Sequence, residues 1–249
     1  MTDLLSYDVA GAGSPVLLLH CGVANRQMWQ PQWDALAADH QVVRPDFRAY
    51  GETPVPSTSW SDVDDVVALL DHLGLDRVAV VGSSYGGAIA MELATVAPQR
   101  ISRLVLLCPG GDAEPTPDVE SFSAAEEALL GAGDVDGAVD LNVRTWLGPE
   151  ATDTTRRQLA GWQRHTFEVQ ADAPDDIGPQ HVEVDPAAVD VRTTVVTGGH
   201  DLRHFQGIAH DLAARLPHAR LLELDWAGHL PSLERPDDIT ALLLSELTD

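Results

Sequence analysis

The sequence predicts an α/β fold: a mostly parallel central sheet with helices on both faces and a helical segment inserted between two strands. Three observations predict it. Segments of strand and helix character alternate along most of the chain. Several strand segments, such as Val16-Leu17-Leu18-Leu19 and Leu104-Val105-Leu106-Leu107, are continuous apolar runs; strands buried on both faces have this pattern, as parallel strands between two helix layers do. Finally, the apolar run Val78 to Val81 passes through Gly82-Ser83-Ser84-Tyr85-Gly86 straight into a helical stretch.

Taken in order, the strands are predicted at Leu4–Val9, Val16–Leu19, Gln41–Arg44, Arg77–Val81, Arg103–Leu107, Thr193–Thr197 and Arg220–Leu224, each short and rich in aliphatic or β-branched residues. Between them the spacing predicts helices over Trp29–Ala38, Ser61–Leu73, Ala88–Val96, Gln206–Leu216 and Pro236–Leu247. The Ser61 helix opens with Asp62 and Asp64, where the helix dipole favours negative charge, and meets Gly74 at its end. The alternation stops between Gly110 and about Val191. That stretch has no convincing strand; it predicts helices near Ser121–Leu130, Val135–Trp146 and Thr152–Ala171, then a loop rich in Asp and Pro with an acidic tract at Ala171–Asp176. A helical insertion there is expected to form a lid over the carboxyl ends of the strands, where α/β sites lie. The expected division is a core of residues 1–110 and 187–249 with a lid or cap at 111–186.

Composition bounds the function classes. With 249 residues, 44% of them hydrophobic, the chain has the material for a full core, and disorder is excluded. No apolar run approaches the ~20 residues that cross a bilayer. The start, Met1-Thr2-Asp3-Leu4-Leu5, has no basic region followed by a long apolar segment, so no secretion signal is read there. Cys21 and Cys108 have neither disulfide-framework nor metal-ligand spacing, which fits a cytoplasmic location; no cofactor is expected. The net charge is −24, and all 15 basic residues are arginine. Such a surface repels phosphate backbones and anionic membranes, so the expected partner is a small molecule, not nucleic acid or membrane. The absence of lysine fits a GC-rich coding bias with ordinary acidic solubility; high-salt adaptation is the alternative. Neither bears on the reaction.

The chemistry-bearing pattern centres on Ser84. A strand, Gly-x-Ser-x-Gly and a helix make a nucleophile elbow: the serine is held in strained backbone geometry with its hydroxyl above the sheet edge, and Gly82 and Gly86 let the two backbones pass closely. Serine is a poor nucleophile without a base to take its proton, and the base needs an orienting acid. Asp201, in Gly199-His200-Asp201, follows the strand Thr193–Thr197; His229, in Ala227-Gly228-His229-Leu230-Pro231, follows the strand Arg220–Leu224. In a parallel sheet both loops fall on the elbow's side. Each partner alone is unremarkable, since the chain has 10 histidines and a glycine-flanked Asp is commonly a turn residue; their joint placement carries the reading. Asp112, after Pro109-Gly110-Gly111, is the competing acid. Acyl transfer also needs donors for the oxyanion. The backbone N–H of Tyr85 is one expected donor and that of Gly22, ahead of Val23, the second. His20 is expected to brace its loop and Cys21 to be a packed residue. Pocket roles are assigned to Val23 and Trp146; Trp162 and His165 share a helix face. The acidic surface disfavours anionic substrates unless an arginine such as Arg26 or Arg144 reaches the cavity.

Together, Leu17-Leu18-Leu19-His20 with Trp29, the turn Arg44-Pro45-Asp46-Phe47-Arg48-Ala49-Tyr50-Gly51, the elbow, Gly199-His200-Asp201, and Gly228-His229 followed by Glu234-Arg235-Pro236 resemble the α/β-hydrolase superfamily along nearly the whole chain. Within it the chain looks most like the small enol-lactonase, esterase and haloperoxidase-like group. One departure is that Cys21 stands where the family commonly has the glycine of His-Gly, with Gly22 following. By the resemblance, Arg48 belongs to a structural turn. The resemblance also implies a branch: dehalogenases and epoxide hydrolases need a carboxylate at the elbow, so Ser84 points to an acyl-enzyme path on an ester, lactone or thioester. Two alternatives use the same frame: a carbon–carbon bond hydrolase with the same three residues, and a non-hydrolytic ligand-binding or biosynthetic member.

Overall fold

The computed structural model describes residues 4–171, 173–174 and 177–248. Asp172, Asp175 and Asp176 of the acidic tract lie outside the described residues. The strands are β1 (Tyr7–Ala10), β2 (Ser14–Leu19), β3 (His40–Pro45), β4 (Val78–Ser83), β5 (Ile101–Leu107), β6 (Thr193–Gly198) and β7 (Ala219–Leu224). They form a 7-stranded sheet in the order β1-β3-β2-β4-β5-β6-β7, in which β1 runs antiparallel to β3 and every other pairing is parallel. The strand expected from Leu4 starts instead at Tyr7, which pairs with Pro45. Beyond Pro45 the chain turns away, and Ser6 holds that turn: its carbonyl accepts from Asp46 N at 2.8 Å and its N–H donates to Thr53 Oγ1 at 2.9 Å.

The helices are α1 (Gln30–Leu36), α2 (Asp62–His72), α3 (Tyr85–Val96), α4 (Pro117–Gly131), α5 (Val135–Trp146), α6 (Asp153–Gln170), α7 (Arg203–Arg215), α8 (Pro231–Glu234) and α9 (Pro236–Leu247). The first expected helix, Trp29–Ala38, is found as α1 from Gln30 to Leu36; a 3₁₀ turn at Arg26–Trp29 leads into it, and Pro31 sits in its first turn, where its missing N–H costs nothing. α2 starts one residue later than expected, at Asp62, and Ser61 caps it, its hydroxyl accepting from Asp64 N. α8, α3 from Tyr85 and α7 from Arg203 extend beyond the helices read from the sequence.

The two-sided burial inferred from the apolar runs is visible in β2. Leu17 and Leu19 face a core layer with Val66 and Leu70 of α2, Ile89 and Leu93 of α3, and Leu212 of α7. Val16 and Leu18 face the other layer, with Leu36 of α1, Leu243 of α9, Val143 and Trp146 of α5 and Leu159 of α6. The period of two along a strand sends neighbours to opposite faces, so a strand between two helix layers must be apolar throughout. α4, α5 and α6 lie in sequence between β5 and β6, and among the described residues no strand interrupts them. Among the described residues no helix is long and apolar enough to cross a membrane.

Candidate active site

Ser84 joins the end of β4 to the start of α3 with φ 51° and ψ −113°, a backbone conformation that is strained for a non-glycine residue. The strain persists because its surroundings allow nothing else. Gly86 N donates to His20 O at 3.0 Å, and a Cβ at Gly86 would sit 2.3 Å from Leu19 O, so α3 and the end of β2 touch backbone to backbone.

His229 is buried and uses both ring nitrogens: Nε2 lies 2.7 Å from Ser84 Oγ and Nδ1 2.7 Å from Asp201 Oδ2. The other carboxylate oxygen of Asp201 accepts from Leu202 N at 2.7 Å, which fixes the carboxylate plane. The loops after β6 and β7 meet without side chains between them, since a Cβ at Gly198 would lie 2.1 Å from Gly228 O. Gly228 is held by the buried Glu234, whose carboxylate accepts its N–H at 2.9 and 3.1 Å, and His229 N donates to Trp146 O at 3.0 Å. Burial pushes the Glu234 carboxyl up, against the pull of these backbone N–H groups. The histidine is thus positioned by a carboxylate on one side and the end of α5 on the other. Asp112, the competing acid, is exposed.

Cys108 lies nearer this relay than its place in the sequence indicates. It is buried with φ 44°, and its Sγ lies within 4.8 Å of the carboxylate and ring nitrogen of Asp201 and His229. Burial, followed by the Asp201 charge, pushes its thiol well above the ordinary range. A metal would need that thiol deprotonated and a free imidazole nitrogen; both nitrogens of His229 are engaged, so the donor set does not suit a metal.

Tyr85 is the first residue of α3, so its backbone N–H has no partner within the helix. Its side chain donates to the Asp62 carboxylate, which also accepts from Trp60 Nε1 at 3.1 Å. Burial raises the Asp62 carboxyl. A Cβ built on Gly22 would lie 3.7 Å from Tyr85 Cβ, which puts the two backbones side by side next to Ser84. His20 braces this loop as expected: Phe47 N donates to its Nε2 at 3.0 Å, while its Nδ1 lies 2.7 Å from Cys21 O. Burial lowers the His20 pKa. Cys21 is buried, and burial raises its thiol to about 12.

A cavity of about 260 Å³ opens onto Ser84, and Gly22, Val23, Tyr85, Trp146 and His229 line it. The rings of Trp146 and Phe205 lie 4.8 and 4.2 Å from that of His229. Phe205 is not legible in the sequence because nothing in the spacing of α7 marks its first turn as part of a pocket. Of the shared-face pair, Trp162 packs into the core layer while His165 Nε2 lies 3.0 Å from Gly51 O. Neither suggested arginine reaches the cavity. Arg26 is buried among Asp8, Asp46 and Glu52, and Arg144 is exposed with its Nε on Asp140 O. Arg48 pairs with Asp65 through two bonds of 2.8 Å, a structural clamp on α2.

This sheet order and elbow define an α/β-hydrolase architecture. The chain belongs to the alpha/beta hydrolase family, whose profile matches residues 16–242, and this membership supports hydrolase activity. It is 26% identical to RutD of Azorhizobium caulinodans, a protein named as a candidate carbamate hydrolase, over 96% of this chain and 93% of that one. Among solved structures it is similar to Est816, described as an N-acyl homoserine lactone degrading enzyme (TM-score 0.80, 27% identity, 97% of this chain and 96% of that chain). It is also similar to a hydrolase from Pseudomonas aeruginosa PA01 (TM-score 0.81, 28% identity, 98% and 94% of the two chains).

Proposed function

We propose that the protein is a serine hydrolase that cleaves a small carboxylic ester or lactone through an acyl-enzyme. The observation that carries this reading is the unbroken contact from Asp201 Oδ2 through His229 to Ser84 Oγ, two steps of 2.7 Å each. In the reaction His229 Nε2 takes the Ser84 proton as Oγ attacks the carbonyl carbon. Asp201 keeps the ring in the tautomer with Nδ1 protonated and stabilises the imidazolium that forms. The N–H groups of Tyr85 and Gly22 receive the developing oxyanion. His229 then gives its proton to the leaving alkoxide, and the ester bond to Ser84 is broken by a water that His229 activates in turn. No step calls on a cofactor.

Val23 and Trp146 form walls for the substrate, and residues 111–186, carrying α4–α6, act as the lid over a core of 1–110 and 187–249. The cavity, about 260 Å³, is just below the usual range of roughly 300–1,000 Å³ and favours a small substrate. The likeness to Est816, with its described action on a lactone, supports including cyclic esters.

The test is a panel of p-nitrophenyl esters and lactones against wild type and Ser84→Ala. Turnover with a p-nitrophenol burst in wild type, and its loss in the folded variant, is the expected result. Undiminished turnover by Ser84→Ala would overturn the proposal.

A further inference from the structure

The cavity beside Ser84 has a polar side that the acyl-transfer reading does not use. Glu126 of α4, Asn142 of α5 and Gln163 of α6 all line it. Asn142 is fully engaged: its amide N–H groups donate to Glu126 and to Ala138 O, and its Oδ1 accepts from Trp146 Nε1 at 2.7 Å. It therefore anchors the Glu126 carboxylate to the same tryptophan that packs on His229. Among the described residues Glu126 has no cationic partner, and no arginine lines the cavity. Gln163 is 3% exposed, and its Oε1 is buried without a hydrogen-bond partner. A buried amide left unpaired is costly, and its terminal torsion is soft enough to turn either end toward a bound group. A carboxylate held in place and an unsatisfied amide thus face one small space that ends at the nucleophile.

We infer that this space binds the non-reacting end of the substrate, and that this end carries a positively charged amine: the substrate is an amino-substituted ester or lactone. The ammonium pairs with Glu126 and donates a hydrogen bond to the unengaged Gln163 carbonyl, while the scissile carbonyl sits at Ser84. An ammonium is the group that a lone carboxylate in a partly enclosed, apolar-walled cavity stabilises most, and a carboxylate is the one it repels most. The inference rests on the hydrolase reading and narrows its substrate.

The experiment compares p-nitrophenyl esters of equal length whose acyl chains end in an ammonium, a methyl or a carboxylate group. The readout is kcat/KM at neutral pH for wild type and Glu126→Gln. Glutamine keeps an oxygen for Asn142 and removes the charge. Wild type is expected to prefer the ammonium ester over the methyl ester by about tenfold or more and to disfavour the carboxylate ester. In Glu126→Gln the ammonium-to-methyl ratio is expected to fall by about tenfold, whatever the change in absolute rate. Wild-type ratios near one, or a ratio unchanged by the substitution, would overturn the inference; the wild-type comparison decides even if the variant does not fold. Failure of the hydrolase reading is distinguishable, since the methyl ester would then not be cleaved through Ser84 at all.

Discussion

Replacing Asp201 by Asn exchanges one oxygen for an NH₂ group and tests the relay where its geometry is most constrained. Both oxygens of Asp201 face donors: Oδ2 the Nδ1–H of His229, Oδ1 the backbone N–H of Leu202, each at 2.7 Å. An asparagine must set its NH₂ against one of them. The Leu202 N–H cannot change its role, whereas an imidazole can move its proton to the other nitrogen. The amide therefore settles with NH₂ toward His229, and the ring proton moves to Nε2. That nitrogen, 2.7 Å from Ser84 Oγ, then donates where it should accept and cannot take the hydroxyl proton. In serine proteases with a serine–histidine–aspartate relay, the same exchange lowers kcat by about 10⁴-fold, or about 5 kcal/mol of barrier. A loss of about 10⁴-fold in kcat/KM is expected here on p-nitrophenyl butyrate, with the fold intact by circular dichroism. Asp112→Asn, at an exposed position, is expected to stay within about threefold of wild type. Retention of more than about a tenth of the activity by Asp201→Asn, or an equal loss at Asp112, would refute the tautomer argument.

Three further outcomes are expected from the geometry. Gly86→Ala should cost about 3 kcal/mol in urea melts and most of the activity, because its Cβ would meet Leu19 O at 2.3 Å and neither backbone can yield. Trp146→Leu removes a buried ring from beside His229; a stability loss of about 3 kcal/mol, with kcat/KM down about tenfold, is expected from paired melts and kinetics. His20 is held neutral, its pKa lowered by burial, so its contribution to stability is complete above the unfolded value of 6.5 and is lost as pH falls toward the lowered folded value. Protonation would set a ring N–H against the N–H of Phe47. His20→Gln should therefore be less stable than wild type at about pH 7.5 yet lose less on going to about pH 5.5, as read from urea midpoints.

Strand burial, the elbow and the order of Ser84, Asp201 and His229 are legible in the chain because each is written in local residues: apolar runs, small residues around one serine, and polar residues placed just after strands. The edge of β1 is not, since where a strand begins depends on its partner, and β3 stops offering pairing at Pro45. The 3₁₀ turn at Arg26–Trp29 ahead of α1 is not legible either, because so short a turn leaves no periodic apolar pattern to read. The pocket is the least legible part. Val23 and Trp146 line it as expected, but Glu126, Asn142, Gln163 and Phe205 come from four different helices with no common motif.

The sequence by itself determined the fold class and which side chains come forward as candidates for the reaction, because backbone strain, helix dipoles and side-chain period act over a few residues. Only the tertiary structure decided that Asp201 and not Asp112 meets His229, that Arg26 and Arg144 stay out of the cavity, and that Glu126 enters it without a cation among the described residues. Those outcomes depend on which side chains distant segments bring within a few ångströms of one another, and hydrogen bonds and ion pairs are sensitive to just that distance.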